Sequence, residues 1–166
     1  MHTVIKYILS GLQQTNFPIS YDQQADVLEE YLKVLYPHLN KGNKVQRRKI
    51  TTRDFVGPSS ISLQLINIRK INKDIKAPNI REPYTVTEKA DGIRKLLFIA
   101  PNGKIYLIDI NMNVQFTGGI SQHKDVHRTI IDGEHILHDK RGNFIDLYLA
   151  FDLYYLNGDD MRALPF

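Results

Sequence analysis

A lysine, an aspartate, a glycine and an arginine stand close together in "VTEKADGIRKLLFI", where Lys89, Asp91, Gly92 and Arg94 lie between two apolar, strand-like runs. A lysine amine attacks phosphorus or a carbonyl carbon only when neutral. At the ordinary pKa of about 10.4, on the order of one lysine in a few thousand is neutral at pH 7. Lowering that value to about 7–8 requires roughly 3–4 kcal/mol of destabilisation of the cation. Arg94, Lys95 and any bound divalent cation push in that direction, whereas Glu88 and Asp91 oppose it. Gly92 permits a tight turn, one of positive φ included, that returns Arg94 to the cleft Lys89 faces. On these residues alone two readings stand: a solvated charge beside a turn, and the nucleophile of a group-transfer enzyme.

The elements around this stretch change character near residue 50. From Ile50 onward the signals are those of strands: "PYTVTEK" alternates, "KLLFIA" is an apolar run, and Asn102-Gly103 is a strong hairpin signal that pairs it with "KIYLIDI". "RTIIDGEHIL", the turn "DKRGN" and "FIDLYLAFDLYYL" follow, and the apolar density of the last predicts a buried central strand. The result is an antiparallel meander with attached helices, an α+β architecture. Before residue 50 the pattern is helical. Val4, Ile5, Ile8, Leu9 and Leu12 recur at helical spacing, and Asn16 to Pro18 end that run. Ser20 with Gln23 forms a capping box for a second helix, whose Leu28, Tyr31, Leu32 and Leu35 share a face and which Pro37 stops. That face is expected to pack as plain core. The basic stretch "NKGNKVQRRK" reads as a linker, solvated more readily than bound to RNA phosphates. The chain thus divides into a helical extension, 1–48, and a strand-rich part, 49–166.

Composition bounds the rest. A chain of 166 residues holds one domain with a real core, and 42% hydrophobic with 24% charged residues is ordinary for a soluble protein. The net charge of +4 is compatible with an anionic partner such as a nucleotide or nucleic acid. The absence of cysteine excludes a disulfide framework and cysteine-ligated zinc, and suits a reducing compartment. No signal-peptide pattern and no apolar run of about 20 residues is present, so no membrane is expected.

Lys89-Ala90-Asp91-Gly92-Ile93-Arg94 matches K-x-D-G-x-R, the nucleotidyl-lysine motif of the covalent nucleotidyltransferase superfamily, which comprises messenger-RNA capping guanylyltransferases and polynucleotide ligases. Further segments resemble the same family in the same order. "FVGPSSISL" resembles the entry segment before the nucleophile, and "IYLIDINMNVQFTG" the third motif. "TIIDGEHI" resembles the aspartate-glycine-glutamate segment, and "LYLAFDLYYLNGDDMR" the strand that follows it in capping enzymes. The resemblance covers residues 50–166 and is closest to the guanylyltransferases of large DNA viruses. More loosely, the helical start resembles their connector to a triphosphatase module.

The resemblance implies an antiparallel-sheet, ATP-grasp-like nucleotidyltransferase domain, and a two-step reaction. In it Lys89 attacks the α-phosphate of GTP, pyrophosphate leaves, and the lysyl-guanylate passes its GMP to a 5′-diphosphate RNA end. It implies nucleotide-binding roles for Glu88, Asp91, Gly92, Arg94, Phe116 and Glu134. Phe116 would stack on the purine, and Glu134 would hold the ribose or a metal, Mg²⁺ or Mn²⁺. It also implies triphosphatase and methyltransferase modules as partners and a cytoplasmic site such as a viral factory or virion. The family's later glutamate-glycine-hydrophobic-lysine motif, lysine-rich motif and OB-fold lid have no counterpart here, which implies a fragment or one half of a split enzyme. Asp109 is followed by Ile110 where the third motif often has arginine. Plainer readings stand beside these roles: Phe116 as core, Glu134 and Asp132 as turn residues, Asp159 and Asp160 as a solvated loop. His135 and His138, three apart on a strand, fall on opposite faces and so make no zinc pair. An ATP-dependent ligase shares Lys89, Asp91, Gly92 and Arg94, but "FVGPSSISL" and "LAFDLYYLNG" favour the capping branch. A non-catalytic module binding RNA or a partner is the remaining alternative.

Overall fold

The computed structural model describes residues 2–37, 50–58, 62–72, 74, 76–83 and 89–164. The basic stretch 40–49 and most of "PYTVTEK", Glu88 included, lie outside the described residues. Two compact units are formed: one from Met1–Val56 with Ala90–Pro165, the other from Gly57–Lys89 with Phe166.

In the first unit the chain runs through α1 (His2–Gln13), α2 (Tyr21–Leu35) and six strands, β1 (Ile93–Ile99), β2 (Lys104–Asp109), β3 (Val114–Ile120), β4 (Thr129–His138), β5 (Phe144–Leu156) and β6 (Asp159–Asp160). The strands form one antiparallel sheet in the order β3-β2-β1-β4-β5-β6. Alternate residues build one apolar face. Leu96 stands opposite Ile108, Phe98 opposite Tyr106 and Ile130, and Ile108 opposite Val114, so these side chains pack in rows across the strands. Helix α2 covers that face. The Tyr31 ring meets Phe98 edge-on at 5.9 Å, and the Tyr31 hydroxyl donates to the Asp54 carbonyl at 2.9 Å and accepts from the Val56 amide at 3.0 Å. The capping box at Ser20 and Gln23 forms as expected, with both reciprocal hydrogen bonds.

The Asn102-Gly103 turn joins β1 to β2 as a three-residue loop with Gly103 in the left-handed region. Two expectations are corrected. The strand from "FIDLYLAFDLYYL" is not central: β5 lies next to the β6 edge, and its first half is exposed, Phe144 by 67%. Its apolar density reflects surface as well as core. The apolar side of α1 is likewise exposed, Leu12 by 75%, because only α2 reaches the sheet's core rows. Asp159 and Asp160, expected in a loop, form β6 against Tyr155 and Leu156.

The second unit is held by amide side chains. Asn67 Nδ2 donates to the Pro78 carbonyl at 2.8 Å, and Asn79 Nδ2 to the Arg69 carbonyl at 2.9 Å. Arg81 Nε donates to the Ile68 carbonyl at 3.1 Å.

Candidate active site

Strands β1 and β4 bring together the residues that the sequence singled out on either side of residue 100. Arg94 stands opposite Glu134, and Lys95 opposite Gly133, so Arg94 and Glu134 share one face of the sheet. The Gly92 amide, one residue before β1, donates to Glu134 Oε2 at 2.8 Å. This bond ties the loop that carries the K-x-D-G-x-R sequence to the carboxylate of β4. Gly92 is needed here for closeness and not for positive φ, which it does not adopt. A Cβ at Gly92 would lie 2.8 Å from the His135 carbonyl oxygen, closer than side-chain carbons approach backbone.

Asp132 holds the arginine. Its side chain is 1% exposed and accepts from Arg94 Nε at 3.0 Å, from Arg94 Nη2 at 2.5 Å and from the Tyr154 hydroxyl at 2.5 Å. Such a fork-on-carboxylate pairing fixes the guanidinium plane as well as its position. The Arg94 guanidinium carbon also lies 5.5 Å from the centre of the Phe55 ring. Hydrogen bonding to Asp132 raises the Arg94 pKa, and burial raises that of Tyr154, so Arg94 stays a cation and Tyr154 a neutral donor. Asp132 sits in mid-strand, and a turn role for it is thereby corrected. Sequence reasoning missed Tyr154 and the clamp on Arg94, because nothing in the spacing of Arg94, Asp132 and Tyr154 announces that three strands carry them to one point.

Gly133 is fixed by packing. A Cβ there would lie 2.4 Å from the Leu149 carbonyl oxygen and 2.6 Å from the Tyr148 ring. The Tyr148 hydroxyl reaches over this glycine, accepts from the Leu97 amide at 3.2 Å and lies 2.8 Å from the Lys95 carbonyl. The ring therefore clamps β1 to β4 behind the aspartate-glycine-glutamate triplet.

The remaining predicted residues are placed as follows. Lys89 is exposed and ends the second unit, one residue before Ala90 opens the sheet-bearing segment. Asp91 is exposed, and Glu88 lies outside the described residues. Phe116 is two strands away from β1, paired with Tyr106, and packs edge-on against Phe17 at 6.0 Å and tilted on Tyr106 at 5.3 Å. Phe151 lies nearer to Glu134 along the sheet. It is the extra residue of a β5 bulge, since Gly133 pairs with Ala150 and Asp132 with Asp152, and the residue is 36% exposed. His135 contacts Asp146, whereas His138 packs on Phe144. Among the described residues no three His, Cys, Asp or Glu gather as a metal site, and no helix is long and apolar enough to cross a membrane.

A six-stranded antiparallel sheet bearing two helices, with Gly92, Arg94, Asp132 and Glu134 gathered on adjacent strands, is consistent with a nucleotidyltransferase-like domain. Residues 17–166 match the family described as mRNA capping enzyme, catalytic domain. A probable mRNA-capping enzyme of Acanthamoeba polyphaga mimivirus is 31% identical over 151 residues, which are 91% of this chain and 11% of that relative. The chain belongs to the mRNA capping enzyme family, and it spans about a tenth of the length of the relative it matches.

Proposed function

We propose that this chain carries the guanylyltransferase centre of mRNA capping in an ATP-grasp-like domain, with Lys89 as nucleophile. The observation that carries the reading is the pairing of Gly92 with Glu134 and of Arg94 with Asp132, directly after Lys89 in the chain. The Lys89 amine attacks the α-phosphorus of GTP, an N–P bond forms, and the bond to the departing pyrophosphate breaks. An oxygen of a 5′-diphosphate RNA end then attacks the same phosphorus and frees the lysine, which splits one difficult transfer into two easier ones. Arg94, held in plane by Asp132, donates to the nucleotide sugar or phosphate. Glu134, anchored by the Gly92 amide, accepts from the ribose or contributes one carboxylate to a metal. A single carboxylate suits Mg²⁺ or Mn²⁺, which substrate phosphates and water hold for the rest. The metal, when bound, offsets triphosphate charge. Purine stacking falls to an aromatic ring, and Phe151, exposed on the strand beside Glu134, is better placed for it than Phe116, whose ring packs on Phe17 and Tyr106. Triphosphatase and methyltransferase modules are the partners such a centre serves.

The test is covalent labelling with α-labelled GTP or ATP in the presence of Mg²⁺, read after denaturing electrophoresis. A GTP adduct that disappears in Lys89→Ala supports the reading. An ATP adduct assigns the chain to ligase chemistry instead.

A further inference from the structure

Behind the Arg94 face, the next residue of β1 heads a second arrangement. Successive strand residues point to opposite faces, so Lys95 lies on the side of the sheet away from Arg94 and Asp132. Its Nζ is 3.0 Å from His135 Nδ1 and donates to Gln115 Oε1 at 2.9 Å. His135 is 4% exposed, and its Nε2 is 2.7 Å from Asp146 Oδ1. A carboxylate acceptor at Nε2 places the ring proton there and leaves Nδ1 as the acceptor that faces the lysine. Asp146 adopts φ +45 in β5, a left-handed conformation that is uncommon outside glycine. Backbone strain of this kind gathers where a side chain must be aimed. Lys95 and His135 open on a cavity of about 480 Å³, walled by Leu9 and Leu12 of α1 and by Leu107 and Leu137 of the sheet, while Asp146 stands behind the imidazole at Nε2.

We propose that Lys95, His135 and Asp146 form a base-activated amine nucleophile, and that its cavity takes a short apolar acyl donor, an ester or thioester. The pattern is a nucleophile within hydrogen-bond reach of a base that a third group orients. The Lys95 nitrogen attacks the acyl carbon and the N–C bond forms. The bond from that carbon to the alkoxide or thiolate breaks, and the ammonium proton passes to His135 Nδ1 while Asp146 holds the resulting imidazolium. Desolvation lowers the Lys95 pKa from its ordinary value, against the opposing pull of the Asp109 and Asp146 carboxylates. Gln115 from β3, Gln13 and Gln14 at the end of α1, Asp109 and Asn113 at the β2–β3 turn, and the phenol of Tyr21 with Gln24 from α2 are the other polar groups around the cavity. Lys89 takes no part, so this site and the guanylyltransferase reading stand or fall separately.

The experiment treats the full chain with p-nitrophenyl acetate, follows nitrophenolate release against pH, and maps the acetylated lysines by peptide mass. Lys95 is expected to be acetylated ahead of every exposed lysine, with a midpoint below the ordinary lysine range. His135→Gln should slow its acetylation on the order of a hundredfold, the usual weight of a general base. Asp146→Asn, at a side chain 59% exposed where the fold tolerates change and asparagine accepts the left-handed backbone, should slow it less and shift the pH midpoint. Acetylation of Lys95 no faster than that of exposed lysines overturns the proposal. So does a Lys95 rate and pH midpoint that Asp146→Asn leaves unchanged in a folded protein.

Discussion

Asp132 supports Arg94 and Tyr154 at once, and truncating it leaves a guanidinium and a phenol facing a buried gap. Removing one partner of a buried ion pair costs about 3 kcal/mol, because the other charge keeps its desolvation without its compensation. Asp132→Ala is therefore expected to lose about 3 kcal/mol in urea unfolding, and to lose nucleotide transfer through a mobile Arg94. A second residue-scale prediction separates two rings. Phe151→Ala should raise the KM for GTP, by about 1–3 kcal/mol of lost stacking, whereas Phe116→Ala should lower thermal stability with little effect on KM. The reverse result would return the purine to Phe116. Lys89, Arg94 and Glu134 stand out as candidates in the sequence because their neighbours form short fixed patterns, and the strand register brings Arg94 and Glu134 opposite one another. Asp132 and Tyr154 were not, since a clamp drawn from three strands depends on register, and register is set by pairing over the whole sheet.

At the scale of elements, α2 is fastened to the sheet through Tyr31, whose hydroxyl bridges the Asp54 carbonyl and the Val56 amide. Burial raises the Tyr31 pKa above the ordinary tyrosine value, so the folded chain keeps a proton that the unfolded chain releases. The stability this contributes is complete below pH about 10 and is lost as pH climbs toward the folded value. Tyr148 and Tyr154 are raised in the same direction by burial and add to the alkaline loss. Tyr31→Phe is expected to cost about 1–3 kcal/mol at pH 7, from two backbone groups left unmatched, and to flatten the fall in stability above pH about 10. Denaturant unfolding at several pH values reads both effects. The helix itself was legible from Ser20 and Gln23, and β1 and β2 from their apolar runs and the turn between them. The exposure of β5 was not, because a run of apolar residues looks alike whether a neighbour covers it or not.

At the scale of the whole molecule, the first half of β5 exposes Phe144, Ile145, Leu147 and Leu149 along one strand, and α1 exposes Val4, Ile5, Ile8 and Leu12. Apolar strand surface of this kind promotes association. Sedimentation is expected to show concentration-dependent association that Phe144→Lys with Leu147→Lys reduces, and monomers at all concentrations in the parent chain would contradict that reading. Such surfaces say nothing of the proposed chemistry, which assigns the nucleophile to Lys89. The decisive measurement is therefore incubation of the chain with α-labelled GTP and Mg²⁺, beside Lys89→Ala and a parallel ATP reaction. A covalent guanylate is expected on the parent chain, stable to denaturation and absent from Lys89→Ala. A GTP adduct that persists in Lys89→Ala, or an adduct formed with ATP and not with GTP, would contradict it.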